Sequence, residues 1–395
     1  MAQPEGPRLV RTLGSICLII AAAASFITTA QARKWVVDKT GAGDFTVIQD
    51  ASDATSPGDT ILIFPGRYLE YEPYDFGALT ESTFVVIEKP DITIMGVHRD
   101  SVIIGPKEFR WVRGANEPNG ISGTPTAAGL RVENLTVENV NEGVVFFEPA
   151  EIRDSLIRGC YAGTVSWSPG AVLYENCEYE GCTEFGLVSW TFATGSVVDG
   201  CTFHDINSRL LVSQIQDVLI QNCSFLGNTW VQFQTFSSGS VLNCTFDGGS
   251  IIIMTSQATI EGNVLQDSWA NALDVSESNV TARRNILRGG VQATILLRAE
   301  SDVFMEDNHI FHTQGPSVDV RLYNEPGHVL DLRNNWWGTT DEVLIEQWIV
   351  DKNDIPSRGE EVLWQPILAG PVPVKKGSVG SLKAAFGGRN GPRPD

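Results

Sequence analysis

The chain has 395 residues, with 28 lysines and arginines against 48 aspartates and glutamates, a formal net charge of −20 and 42% hydrophobic residues. So acidic a balance excludes nucleic acid and anionic membrane surfaces as partners, and it makes an acidic polysaccharide an awkward ligand unless cations or a local basic patch intervene. The length alone would suggest two domains, an inference that a repeat architecture removes.

In chain order, the first 32 residues read as an export signal. Arg8 and Arg11 give a basic start, Ile16 to Ile27 is an apolar run, and Ala30-Gln31-Ala32 is a small-x-small cleavage site before Arg33. The run is too short and wrongly flanked for a retained span, and no later segment is apolar for long enough to cross a bilayer. The expected localisation is therefore secreted, whether extracellular, periplasmic or at the cell surface, with cleavage near Ala32 and no stable membrane insertion. Phe45 to Ala54 has amphipathic helical spacing with Asp44 as its N-cap, suited to a lid at the N-terminal end.

From residue 132 onward the chain repeats. The blocks are Val-Glu-Asn-Leu-Thr-Val (132–137), Ile-Arg-Asp-Ser-Leu-Ile (152–157), Tyr-Glu-Asn-Cys-Glu-Tyr (174–179), Val-Asp-Gly-Cys-Thr-Phe (198–203) and Ile-Gln-Asn-Cys-Ser-Phe (220–225). They continue through Val-Leu-Asn-Cys-Thr-Phe (241–246), Ile-Glu-Gly-Asn-Val-Leu (260–265), Ala-Arg-Arg-Asn-Ile-Leu (282–287), Met-Glu-Asp-Asn-His-Ile (305–310) and Leu-Arg-Asn-Asn-Trp-Trp (332–337). The mean period is about 22 residues, held in phase over ten blocks, which is the mark of a solenoid. The sixth column, Val137 to Trp337, is uniformly apolar and forms a core ladder. The fourth runs from Leu135 and Ser155 through Cys177, Cys201, Cys223 and Cys244 into Asn263, Asn285, Asn308 and Asn335. Stacked asparagines at a bend can satisfy each other and the backbone.

A second strand follows each block, as in Val144–Phe147, Thr164–Trp167, Leu187–Trp190, Trp230–Phe233, Ala272–Val275, Thr294–Leu297 and Ser317–Val320. No coil buries its own apolar face, so the stack must supply the core. The expected fold is all-β: a single-stranded right-handed parallel β-helix, a solenoid of about ten coils with short helical caps. Thr339 and Glu342 form a capping box ahead of Val343, Leu344, Ile345 and Trp348, predicting a C-terminal cap helix over 339–350. The solenoid with its caps spans 33–373, and 374–395, rich in Gly, Lys, Arg and Pro, reads as a flexible tail.

Gly41-Ala42-Gly43-Asp44-Phe45-Thr46-Val47-Ile48-Gln49-Asp50-Ala51, with Pro57-Gly58-Asp59-Thr60-Ile61 and Pro65-Gly66-Arg67-Tyr68-Leu69-Glu70, resembles the opening of pectin-lyase-like β-helix proteins, an opening largely shared by pectin methylesterases. Asn334-Asn335-Trp336-Trp337-Gly338-Thr339-Thr340-Asp341 resembles the last coil of secreted bacterial right-handed β-helix repeat proteins. The resemblance implies a polysaccharide lyase, hydrolase or esterase if the chain is an enzyme. The fold also hosts non-catalytic proteins. The hydrolases' Asp-Asp pair and Gly-His-Gly motif are absent from the sequence, and the esterases' two aspartates and arginine have no placeable counterpart.

Strand parity puts Asp274, Asp319, Arg298 and Arg321 on outward positions in three neighbouring coils, with the two aspartates about 10 Å apart. They are the candidate catalytic set, the arginines able to bind a uronate or act as base. The alternative is a charge ladder that stabilises an exposed sheet. Trp230, Gln232 and Gln234 share that parity and suit sugar stacking. Phe146, Leu210, Val212, Ile251 and Ile253 are predicted on the same face, where so much apolar surface suits a loop or a second subunit, making a homo-oligomer the alternative partner. Cys160 and Cys182 hold equivalent positions in consecutive coils, inside disulfide range if exported. The histidines form no metal set, and no zinc spacing is present. Fold analogy introduces calcium as a cofactor, but no ligand loop marks a site. Two functions stay open: a secreted β-helix that binds or modifies an extracellular polysaccharide, and a non-catalytic surface or scaffold protein that uses its faces for assembly.

Overall fold

The computed structural model describes residues 32–77, 80–108, 117–190, 194–204, 209–321 and 327–373. The expected signal segment and tail lie outside them. Three sheets run the length of the molecule: sheet A of 14 strands from Lys34–Val37 to Val362–Leu363, sheet B of 11 strands from Gly66–Tyr68 to His309–Phe311, and sheet C of 13 strands from Glu72–Asp75 to Ile349–Val350. Each coil visits A, B and C in turn and every rung is parallel, except that Glu72–Asp75 pairs antiparallel with Thr80–Ile87. The stack makes about 12 turns, since coils built before residue 130 precede the ten repeats read from the sequence. No described helix is long and apolar enough to cross a membrane.

Each repeat block holds two strands, one of sheet A and one of sheet B, so a coil has three strands where the sequence suggested two. The corner is the third residue of the block. It sits in the left-handed region, with φ near +55° at Asn134, Asn176, Asn222 and Asn243 and +70° at Gly262. Asparagine and glycine tolerate that region best, which is why they recur there. The turn delivers the fourth and sixth residues to the interior. The sixth column is sealed, and Tyr179, Phe203, Phe225 and Phe246 stack as near-parallel rings 4.8, 4.9 and 4.5 Å apart.

The fourth column changes its bonding as it changes residue. Each cysteine thiol donates to nearby carbonyls, as Cys223 Sγ does to Gln221 O at 3.1 Å. Asn263 Oδ1 instead accepts Cys244 N–H, and each later asparagine Oδ1 accepts the backbone N–H and the side-chain amide of the asparagine one coil earlier. Asn285 Oδ1 lies 2.9 and 3.0 Å from Asn263 N and Nδ2, and Asn308 Oδ1 lies 2.9 Å from both Asn285 N and Nδ2. Cys160 and Cys182 stand at equivalent places in consecutive coils, both buried and both free thiols here.

The caps differ from expectation. Helix α1 is Ile48–Ala54, and its N-cap is Val47, without a side-chain bond. Asp44 is occupied elsewhere, accepting Val36 N–H at 2.9 Å. Gln49 and Ser52 fasten α1 to the Val86 backbone at 2.8 and 2.7 Å, which seats Ile48 and Ala51 over the first coil. Helix α2 is Glu342–Gln347, and Asp341 is its cap, accepting from Val343 and Leu344 N–H. Thr339 serves one step back by accepting Asp341 N–H. Only Ile345 of α2 is buried, while Val343 is 68% exposed. Short strands Ile349–Val350 and Val362–Leu363 extend sheets C and A at that end, so paired backbone closes the edges as much as the helix does.

Candidate functional site

The outward face of sheet C carries nearly every candidate residue, and a local irregularity decides which side chains reach it. Sheet C opens in successive coils with Gly120, Gly143 and Gly163, where a Cβ would come within 2.2–2.4 Å of the next coil's backbone oxygen and 2.5–2.8 Å of Val137, Ile157 or Tyr179 in the core. Those glycines and the residues after them both face inward, so Asn119, Glu142 and Ala162 before them turn out. The register shifts between Phe185 and Leu187, and from Arg209 onward the strand alternates normally.

This irregularity corrects one expectation. Phe146, Leu210, Val212, Ile251 and Ile253 are core residues, at most 2% exposed. Leu210 pairs with Val231 rather than with Trp230, and a slip of one residue exchanges faces. The outward apolar residues are instead Ala162, Val165, Phe185, Val188 and Leu211, a second cluster flanked by Tyr161 and Trp190. Trp190 stacks on Trp167 at 6.2 Å and 21°, and Trp167 is 43% exposed. Next along the axis, the Arg209 guanidinium lies 5.0 Å over Phe185 and 3.3 Å from Gln232 Oε1.

Trp230, Gln232 and Gln234 do face outward, joined in a chain. Trp230 Nε1–H donates to Gln232 Oε1 at 3.4 Å, and Gln232 Nε2–H donates to Gln234 Oε1 at 2.8 Å. In register the same column continues Gln232, Ile252, Asp274, Leu296 and Asp319. The two candidate sets thus belong to one face, about 10 Å apart from Gln232 to Asp274.

Arg298 holds Asp274 with both fork nitrogens, Nε at 3.0 Å and Nη2 at 2.7 and 2.8 Å. Arg321 grips Asp319 through Nε at 2.7 Å, and Arg358 lies 2.9 Å from the other Asp319 oxygen. Burial raises the Asp274 carboxyl above the ordinary aspartate range, and Arg298 and Arg321 pull it back only partly. Each carboxylate is already met by a guanidinium, which is the arrangement of a charge ladder. The side chains of Arg298 and Arg321 remain 35% and 39% exposed.

Sequence parity missed three features. Arg358 reaches Asp319 from a cap 39 residues downstream, so no local pattern announces it. Trp269, 73% exposed in the turn entering sheet C, has no periodic partner. Glu142, half-buried, has its carboxyl pushed up to about 7 by burial and, less, by the charge of Glu81. Sequence offers one signal for it, a charged residue directly before an inward glycine. A groove of about 670 Å³ lies elsewhere, on the outward face of sheet A along Ser238, Ser240, Gln257, Thr259 and Thr281. Among the described residues no group of three His, Cys, Asp or Glu side chains is placed to hold a metal ion, calcium included.

The description of the right-handed β-helix region matches residues 119–263 and 235–337. No curated protein matches the chain by sequence. Among solved structures, the A-modules of the Azotobacter vinelandii mannuronan C-5 epimerases AlgE6 and AlgE4 are each 14% identical. AlgE6 superposes with a TM-score of 0.49, covering 71% of this chain and 94% of that one, and AlgE4 with 0.45, covering 69% and 92%. Pectate lyase Pel9A is 11% identical with a TM-score of 0.36, over 73% of this chain and 78% of its own.

Proposed function

Since the chain belongs to the right-handed β-helix family, we propose that it is an exported protein whose sheet C face binds an extracellular polysaccharide along the solenoid axis. The observation that carries this reading is the stacked pair Trp167–Trp190, with Trp167 exposed and Trp190 half-buried, continuous with amides and guanidiniums. Sugars bind by laying their C–H faces on aromatic rings while their hydroxyls bond fixed amide and guanidinium groups. Coils repeat every 4.8 Å or so, about the length of one pyranose ring, so successive sugars would meet successive coils. The net charge of −20 disfavours a polyanion in general. Arg298, Arg321 and Arg358 are the local exception at the C-terminal end of the face.

Titrating the purified protein with soluble neutral and uronic glycans in a calorimeter tests this. Binding is expected to weaken by up to about tenfold in Trp167→Ala, the loss of one aromatic contact worth about 0.5–1.5 kcal/mol, with little change in melting because that ring is 43% exposed. Failure of every glycan to bind, together with a stable oligomer, would favour the scaffold reading instead. Export is tested separately: the secreted protein should begin at Arg33 on N-terminal sequencing, and an intact Met1 would remove that part of the proposal.

A further inference from the structure

Resting on the glycan reading, we propose that the N-terminal end of the sheet C face is a hydrolytic site for a neutral glycan, with Glu142 as the acid and Glu81 as the base. One amide links the two residues, through the Glu81 carboxylate and the Glu142 backbone. Asn119 Nδ2–H donates to Glu81 Oε2 at 2.7 Å, and Asn119 Oδ1 accepts Glu142 N–H at 3.2 Å and Asn141 Nδ2–H at 3.1 Å. Asn119 is itself 2% exposed, so this scaffold is fixed rather than solvated. Glu81 therefore has a bonded, oriented oxygen, while among the described residues no hydrogen bond to the Glu142 carboxyl is made.

An independent observation points to a ligand. The hydroxyls of Thr83 and Ser122, residues 2% and 1% exposed, have no hydrogen-bond partner among the described residues. Thr83 is the register partner of Asn119, and Ser122 is that of Val145, three residues after Glu142. Buried hydroxyls without partners cost stability, and they recur where a substrate's own polar groups complete the set. Two carboxylates side by side repel a uronate, so the sugar bound here is neutral.

The two environments divide the roles. Burial and, less, the nearby Glu81 charge raise the Glu142 carboxyl to about 7, which suits Glu142 to the part of the acid. Its other register neighbours, Asn119 and Ala162, are uncharged. In the reaction the Glu142 O–H proton passes to the glycosidic oxygen as the bond from that oxygen to the anomeric carbon breaks, leaving its electron pair on the oxygen. A water oxygen bonds to the anomeric carbon, and the proton it loses goes to Glu81. One glycosidic bond and one water become two hydroxyls, and solvent returns Glu142 and Glu81 to their starting protonation states.

The test uses the full purified chain with soluble β-glucan, mannan and xylan, following new reducing ends between pH 4 and 9. Wild type should cleave one of them, with a rate falling about tenfold per pH unit above the Glu142 pKa. Glu142→Gln and Glu81→Gln should each lose about 100-fold or more in rate while binding the glycan as before. Stability gives a readout apart from activity. Folded Glu142 holds its proton from pH 4.5 to about 7, where the unfolded chain has lost it, so wild-type stability should fall across that window and Glu142→Gln should remove that contribution. If glycans bind through Trp167 and Trp190 but no reducing ends appear at any pH, or if Glu142→Gln cleaves like wild type, the hydrolytic site is overturned and the binding face stands. If no glycan binds at all, both fall.

Discussion

Asn285→Ala is expected to lower the unfolding free energy by about 3–5 kcal/mol, as read from denaturant midpoints. The side chain sits at the centre of a fully buried column. Its Oδ1 takes the N–H and the amide of Asn263, and its Nδ2 serves Ile260 O and Asn308 Oδ1. Alanine leaves two buried donors on Asn263 with nothing to bond, at about 1–3 kcal/mol each, and adds a cavity. Asn285→Cys separates bonding from volume, because cysteine is what the same column uses four times between Cys177 and Cys244. If the ladder works by hydrogen bonding, Asn285→Cys should cost nearly as much as alanine. A cost below about 1 kcal/mol would mean that the column needs only a small side chain there.

Phe225→Ala is expected to cost a similar 3–5 kcal/mol, through lost packing. Phe225 is fully buried, with Phe203 at 4.9 Å on one side and Phe246 at 4.5 Å on the other. In a solenoid each coil is stabilised mainly by its two neighbours, so a void in the middle weakens two interfaces at once. Phe225→Leu keeps most of the volume and should cost about 1–1.5 kcal/mol. That cost contains the lost ring stacking, about 0.5–1.5 kcal/mol for an aromatic pair, and the further loss in alanine reports the cavity. A leucine variant as stable as wild type would show that the stack contributes nothing beyond area.

The columns behind these two predictions were legible in the sequence because they obey a period. Asn285 and Phe225 recur in phase with equivalents one coil away, and a left-handed corner accepts few residues besides Asn, Asp and Gly. Trp230, Gln232, Gln234, Asp274, Arg298, Asp319 and Arg321 were legible as outward residues for the same reason, since their stretch of sheet C alternates regularly. Legibility failed where alternation broke. The inward glycines before Ile121, Val144 and Thr164 add a residue to the strand that Arg209–Leu210 lacks, and that one-residue difference exchanged the faces assigned to Leu210 and Val212. The role of Asp44 failed differently, because its competing acceptor contact with Val36 N–H depends on the chain folding back. Arg358 and the Glu81–Asn119–Glu142 arrangement join segments tens of residues apart, which no local spacing encodes.

The face, rather than the fold, is what the functional account turns on. Crystals of the protein soaked with an oligosaccharide chosen by calorimetry test it most directly. The account predicts sugar rings stacked on Trp167 and Trp190 and running along the axis toward Gln232 and Arg298. Sugars seated only in the sheet A groove of Ser240, Thr259 and Thr281, with sheet C bare, would contradict it.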